Sequence, residues 1–473
     1  MQSDGVKKLS IMEKIGYSMG DSAANFIFQT TIIFQMVYFT TVLGLSPVKT
    51  GTLLFVAMVW GAICDPIMGV LADKTTSRWG KFRPWILWSI VPFGVIYFLV
   101  YLTPDISEGG KLAYAYITYL LMWTIYSINN LPYSALGGVM TGNVVERTSI
   151  ASYRQVAGMG AAFVIQGFFM SLVTYFSHTP DGGVSAAQGW RITVAIFAVI
   201  AMAFHLITFI TTRERIVPKK EVEASTKEAF SDLLRNGPWI AIFLATLFIF
   251  TNLSLRGGVL YFYFDHYLNP DSLLQFLNWF GFNPEPAAIV SRSFELFNMS
   301  GMAIQILGIV LSKTISERFG KRNTFITAMI FATFFCGLFV IVTPDTPWIA
   351  YLINIGQTFA FGITIPLLWA MIADVADFQE WKFNRRATGV VFAGVVFALK
   401  FGLGAGGFAN GLLLDSYGFE AENIVESAVQ GIRLTASIFP ASMFVLAIIC
   451  LFFYSISKSK ELQIQDELAA RRK

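Results

Sequence analysis

Several polar side chains stand inside otherwise apolar runs, and their spacing is helical. Asp21, Asn25 and Gln29 follow one another at i, i+4 and i+8, so on a helix they share one face. A carboxylate and two amides on one stripe can meet several hydroxyl groups at once. Tyr126, Asn130 and Tyr133 repeat the pattern at i, i+4 and i+7, with Asn129 beside them and Pro132 in the same turn. The proline lacks an N–H and can free a carbonyl. Asparagine both donates and accepts, and a tyrosine ring can lie against the apolar face of a ring-shaped ligand. Arg154 offers a fork for a carboxylate or for vicinal oxygens. Asp65, in WGAICDPIMG, is a titratable carboxylate in an apolar stretch, and Lys400, in FALKFGLGAGG, is a cation about fourteen residues inside another. An ionised side chain at mid-membrane costs roughly 2.5–3.5 kcal/mol on insertion scales, so each needs a partner or a water-filled path. Plainer readings stand beside these: Asp21 as a helix cap, Arg154 snorkelling to headgroups, the tyrosines and asparagines as interhelical hydrogen bonders. Trp369 reads equally as an aromatic platform on a pocket floor or as an interface anchor.

The elements that carry these residues are membrane helices. Of 473 residues 55% are hydrophobic and 14% charged, and the mean hydropathy is +0.60, which excludes a soluble domain. About 20 apolar residues span a bilayer, and twelve such stretches occur, near 17–43, 48–72, 84–103, 111–141, 150–177, 189–211, 238–267, 291–313, 322–343, 347–373, 386–414 and 431–456. The fold class is therefore all-α, with six helices on either side of a charged linker. The expected organisation is a bundle over 1–211, a linker over 212–237, a second bundle over 238–457 and a tail over 458–473. The opening MQSDGVKKLSIMEKIGYSMGD lacks the apolar core of a signal peptide. With it in the cytoplasm, DKTTSRWGKFR, GNVVER, the linker, SKTISERFGKR, DFQEWKFNRR and the tail all fall on that side, as the Lys/Arg bias requires. RWGKFR at 78–83 and RFGKRN at 318–323 recur 240 residues apart, each after the second helix of its half, and a weaker echo sets VVERTSIASYRQV beside NRRATGVVFAGVV. Parallel six-helix repeats with a site between them are the architecture of a rocking transporter.

The net charge of +4 is small and scattered, so no nucleic-acid partner is implied. Three cysteines lie unpaired in apolar stretches, and three histidines lack nucleophile partners, so neither a metal site, a cofactor nor an enzyme is expected. Near the basic loops, Asp374, Asp377 and Glu380 are expected to pair with Lys382, Arg385 and Arg386, and Asp73, Arg78 and Lys81 to act alike in the first half, together closing the cytoplasmic side. Arg256 with Arg292, Glu295 and Asn298 forms a further polar group, although Arg292 and Glu295 at i, i+3 can simply pair with each other. The segment 269–290 reads as a short amphipathic helix on the membrane or over an entrance.

Four blocks carry a family resemblance: YSMGDSAANF at 17–26, WGAICDPIMGVLADKTTSRWGKFRPW at 60–85, YSINNLPYSAL at 126–136 with ERTSIASYRQ at 146–155, and WAMIADVADFQEWKFNRRATG at 369–389. The chain resembles the major facilitator superfamily and, within it, the glycoside, pentoside and hexuronide to cation symporters of the melibiose, glucuronide and sulfoquinovose type. The resemblance implies a bacterial inner-membrane symporter that works as a monomer, with a small sugar and a co-transported cation as partners. It implies that Asp21 binds sugar hydroxyls, that Arg154 reaches the sugar, and that Lys400 lies near the cation site with Asp65 as its counter-ion when that site is empty.

The chain departs from the melibiose type. Helix 2 there presents two aspartates four residues apart and helix 4 a third; here the first is Gly61, the second Asp65, and the helix 4 position Asn130. A hard cation wants several oxygen ligands with enough negative charge, whereas a proton needs one titratable group. Proton coupling through Asp65, with Asn130 and Lys400 beside it, is therefore expected over sodium. Asp21 and Asp65 balance Arg154 and Lys400, so an acidic sugar such as a uronide is expected over a neutral one. The alternatives are a sodium-coupled carrier of neutral sugars and a carrier of the same fold for a lipid-like solute.

Overall fold

A computed structural model describes residues 8–178, 183–216, 231–384 and 388–471. It divides into two compact units, one of Met1–Lys220 with Pro284–Glu295 and the other of Glu221–Asn283 with Leu296–Lys473. The first contains α1 (Ile11–Val37), α2 (Pro47–Lys74), α3 (Arg83–Val100), α4 (Glu108–Met140), α5 (Val144–Ser177) and α6 (Ala186–Thr211). The second is built from α7 (Gly237–Phe262), α8 (Pro270–Trp279), α9 (Ile289–Phe319), α10 (Lys321–Leu338), α11 (Pro347–Phe383), α12 (Thr388–Ser416), α13 (Glu426–Ala436), α14 (Ile438–Phe452) and α15 (Lys458–Arg471), the first turns of α9 grouping with the first unit.

Local chemistry starts these helices where the sequence provides caps. Ser10 and Glu13 form a reciprocal capping box at α1. Ser46 accepts from the Lys49 amide ahead of Pro47 at α2, and Asn143 accepts from Val145 and Glu146 at α5. Among the described residues, ten helical segments are long and apolar enough to cross a bilayer by length and composition. α1 and α4, at 27 and 33 residues, have the length but are not among the ten; they carry the two polar stripes, whose residues lower their apolarity. The last spanning segment is broken at Ser437 (φ −127°, ψ −79°) between α13 and α14. Pro440 cannot donate to the carbonyl four residues earlier, which weakens the helix at that joint.

Packing repeats with the sequence. α1 lies on α5 and α6 as α7 lies on α12 and α14, and α3 lies on α4 and α6 as α10 lies on α11 and α14. The duplicated loops share a backbone feature: Gly80 and Gly320, equivalent in the 240-residue repeat, have φ of 107° and 84°, a region that only glycine enters without strain.

In the first unit this loop is held by Glu214. Its carboxylate accepts from the amides of Lys81 (2.9 Å), Phe82 (2.7 Å) and Arg83 (2.9 Å), donors that the start of α3 would otherwise leave unmet. The amides of Arg215 and Ile216 donate to Val139 O at 2.9 and 3.0 Å, and Arg215 pairs with Glu13 at 2.5 Å. In the second unit the corresponding end is covered by α15. Trp381 donates its indole N–H to Glu467 at 2.6 Å, and Lys460 lies 4.3 Å from the Trp381 ring centroid. α8 is the short helix expected within 269–290; it buries Leu273, Phe276 and Leu277, and Phe276 packs at a tilt against Tyr351 with ring centroids 4.5 Å apart.

Candidate functional site

The crossing of α1 and α5 assembles most of the first polar stripe. Ser10 caps α1, so Asp21, about three turns further on, is not its cap. Arg154 Nε donates to Asp21 Oδ1 at 2.6 Å, and Asn25 Nδ2 donates to Asp21 O at 2.9 Å and to Oδ2 at 3.1 Å. α5 begins at Val144, so Arg154 is its eleventh residue rather than its fourth or fifth. The ion pair gives the Arg154 guanidinium a partner within the unit. Its guanidinium carbon lies 5.2 Å from the Tyr133 ring centroid, within cation–π range. One turn after Arg154, Gly158 allows the helices to approach: a Cβ there would overlap Asp21 Oδ2. Gln29, higher on the stripe, accepts from Gln166 Nε2 at 3.1 Å.

The second stripe divides. Tyr133 is fully buried; it stacks on Tyr17 at 4.8 Å and donates its hydroxyl to Tyr17 O at 2.8 Å. It therefore packs α4 against α1 and meets the site through its ring face under Arg154. Tyr126 and Asn130 are half-buried, and Tyr126 packs against Trp123 with centroids 5.2 Å apart. Asn129 turns into the core and donates to Ser89 Oγ at 2.8 Å. Asp65 accepts from Ser127 Oγ at 2.7 Å, which ties α2 to α4 one turn before Asn130. Ser127, Gly158 and Tyr17 were missed in the sequence, although Ser127 stands three residues before Asn130 and Gly158 four after Arg154, each on the face of a chosen residue.

In the second unit Lys400 is half-buried in the middle of α12 and Trp369 on α11 is exposed. Asp374 departs from expectation. It is paired with Lys321, whose Nζ lies 2.6 Å from both carboxylate oxygens and 3.0 Å from Glu461. Lys382 instead donates to Arg235 O at 3.3 Å, and Arg385 and Arg386 lie outside the described residues. The reason is geometric: Asp374 and Lys382 are eight residues, about 12 Å, apart along a helix, whereas Lys321 crosses directly from α10. Asp377 borders the same small pocket as Asp374 and Glu461. The first-half gate also differs. Among the described residues Asp73, Arg78 and Lys81 form no ion pair; Asp73 is exposed, Arg78 covers the Trp79 ring at 4.3 Å, and Lys81 gives its amide to Glu214. In the group around Arg256, that residue, Arg292 and Glu295 each have partners within their own unit. Arg256 is buried, donates to Gln357 and lies 5.0 Å from the Phe339 ring centroid. Glu295 accepts from Arg292 at 3.5 Å and from Ser171 N and Oγ at 2.7 and 2.5 Å.

Residues 16–458 match the family described as MFS/sugar transport protein. The chain belongs to that family. Its relatives include the inner membrane symporter YicJ of Escherichia coli, 33% identical over 98% of this chain and 95% of that one. The isoprimeverose transporter of Lactiplantibacillus pentosus is 29% identical over 96% and 90%, and a glucuronide carrier protein homolog of Escherichia coli 28% over 99% and 97%. The fold is shared with the D-xylose-proton symporter, TM-score 0.61 at 12% identity over 95% of this chain and 99% of that one. It is shared also with the nucleoside transporter NupG, TM-score 0.61 at 14% identity over 94% and 100%. This family member is a membrane transporter of the major facilitator fold and not an enzyme.

Proposed function

We propose that the protein imports a glycoside or sugar acid together with a proton, by alternating access of its two six-helix halves. The observation that carries this reading is the Asp21–Arg154 pair at 2.6 Å, with Asn25 bound to the same carboxylate. A sugar needs acceptors and donors for neighbouring hydroxyls, which Asp21 and Asn25 supply, and an acidic sugar needs a cation, which Arg154 supplies bidentately. A carboxylate-bearing substrate would exchange itself for Asp21 on the guanidinium, so the pair holds the site in order until substrate enters. Relatives named for glucuronide, isoprimeverose and sulfoquinovose transport support a sugar or sugar acid as cargo. Coupling falls to Asp65, held by Ser127, with an amide at position 130 where a further carboxylate would favour sodium.

The test is uptake by reconstituted protein against neutral and acidic glycosides, under separate proton and sodium gradients. The expected result is accumulation of an acidic glycoside driven by an inward proton gradient. Accumulation that requires sodium and ignores the pH gradient would overturn proton coupling, and binding confined to neutral disaccharides and unchanged in Arg154→Ala would overturn the acidic substrate.

A further inference from the structure

A crevice of about 600 Å³ opens on the second unit between α9, α10 and α11. Its walls are apolar, with Phe319, Ala328, Phe331, Phe335 and Phe359 among them, and Asn323 and Thr324 stand at the loop end. From Asn323 to Phe335 it follows α10 for twelve residues, roughly 18 Å, close to the ~15 Å of one leaflet's hydrocarbon. The surrounding face exposes Leu307, Val310, Ile330, Phe334 and Leu352, as a bilayer-facing surface does.

Three features point to a particular occupant. The hydroxyl of Thr324, a residue 5% exposed, has no hydrogen-bond partner among the described residues although it lines the crevice. A buried hydroxyl in that state lacks an acceptor or donor that a ligand can supply. Next to the lining residue Phe319, Arg318 is exposed, lies 5.3 Å from the Phe319 ring centroid, and forms no ion pair among the described residues, so a cation stands beside this end of the crevice. The duplicate half differs in sequence along this face. In the 240-residue repeat Ala328 corresponds to Trp88 and Phe331 to Val91, and Trp88 packs edge-on against Trp85 at 5.5 Å. The crevice lies where the second half has an alanine in place of an indole.

We propose that this crevice binds one acyl chain of an anionic phospholipid, with Thr324 bonded to its ester region and Arg318 and Asn323 at its phosphate. The crevice shares no residue with the polar stripe of α1 and α5, and the proposal does not depend on which solute is carried. A chain alone would be held by apolar contact; the cation beside it selects the anionic headgroup.

The test is native mass spectrometry of purified, delipidated protein titrated with phosphatidylglycerol, phosphatidylcholine or inorganic phosphate. The expected result is retention of one phosphatidylglycerol in preference to phosphatidylcholine, with no retention of phosphate. Arg318→Gln should reduce that preference roughly fivefold, the worth of one basic residue at an anionic lipid surface. Ala328→Trp, which installs the residue of the duplicate half, should abolish retention of either lipid. Equal retention of the two lipids by the wild type would overturn the headgroup assignment. If Ala328→Trp elutes as a folded protein and still retains phosphatidylglycerol, the crevice is not the site. Should Ala328→Trp fail to fold, Thr324→Val serves instead: it keeps the shape and removes the hydroxyl, and unchanged retention there with unchanged retention in Arg318→Gln refutes the proposal.

Discussion

Alanine at Gly158 puts one methyl group into the contact between α5 and the carboxylate of Asp21. The added Cβ would overlap Asp21 Oδ2 and stand 3.1 Å from Asn25 Nδ2. Neither group can retreat freely, since Arg154 holds Asp21 at 2.6 Å and Asn25 is bonded to the Asp21 carbonyl at 2.9 Å. Overpacking of this kind costs about 1–3 kcal/mol, against roughly 0.5–1 kcal/mol that alanine gains over glycine inside a helix. The net loss is therefore up to about 2 kcal/mol. Gly160 supplies the control: it lies on the same helix with nothing within 4 Å of a built Cβ, so alanine there carries only the gain. If Asp21 is a substrate ligand, the strain appears in binding, and at about 1.4 kcal/mol per tenfold the half-saturation for uptake rises by up to roughly thirtyfold. Thermal unfolding and proteoliposome uptake of both variants decide the matter. A Gly158→Ala protein that unfolds no lower than Gly160→Ala and transports with unchanged half-saturation would refute the placement of Asp21 in the site.

Glu214→Ala leaves three amides at the start of α3 without their acceptor, and charge-assisted bonds of this kind contribute about 1.5–3 kcal/mol; the unfolding midpoint should fall by roughly 3–12 °C at 2–4 °C per kcal/mol. An unchanged midpoint would show that solvent satisfies those amides equally well. Asp65→Asn removes the titratable group of the proposed coupling site, so proton-driven accumulation should disappear while exchange of labelled for unlabelled sugar across the membrane persists; retained accumulation would exclude Asp65. In the tail, the Trp381 indole N–H and then Gln463 hold the Glu467 carboxyl below the usual glutamate range. A lowered folded-state pKa contributes stability that is present above the unfolded value and is lost as pH falls through the folded one. Hydrogen exchange of the tail helix, relative to the intrinsic rate at each pH, should thus accelerate at acid pH in the wild type and show a flatter pH dependence in Glu467→Gln.

The spanning helices were legible because membrane thickness fixes a length, and the neighbourhood of Asp21 and Asn25 because helical periodicity puts i and i+4 on one face. What the sequence concealed depended on which helices cross. Gly158 became part of the site only through the contact of α5 with α1. Lys321 was passed over as the partner of Asp374 because cations closer in sequence, at Lys382 and beyond, stood further away along the helix axis. Tyr133 carried the right spacing for a pocket wall, yet its hydroxyl went to the backbone of Tyr17, since periodicity defines a face without saying what that face meets. Glu214 was hidden for a different reason: in a polar linker a glutamate reads as a solvated charge, and its bonds to the start of α3 require the loop after α2 to fold back beside it.

Those bonds change where the first half of the chain ends. Residues up to Ile216 follow the last spanning helix of that half in sequence, yet Glu214 closes the start of α3 and residues 215 and 216 are fastened to Val139. Anyone wishing to express the two halves as separate polypeptides and recombine them should cut after Ile216. A cut just beyond α6 would hand the second fragment a carboxylate and two amides that serve the first, and the amino-terminal fragment would begin life with the cap of its third helix missing.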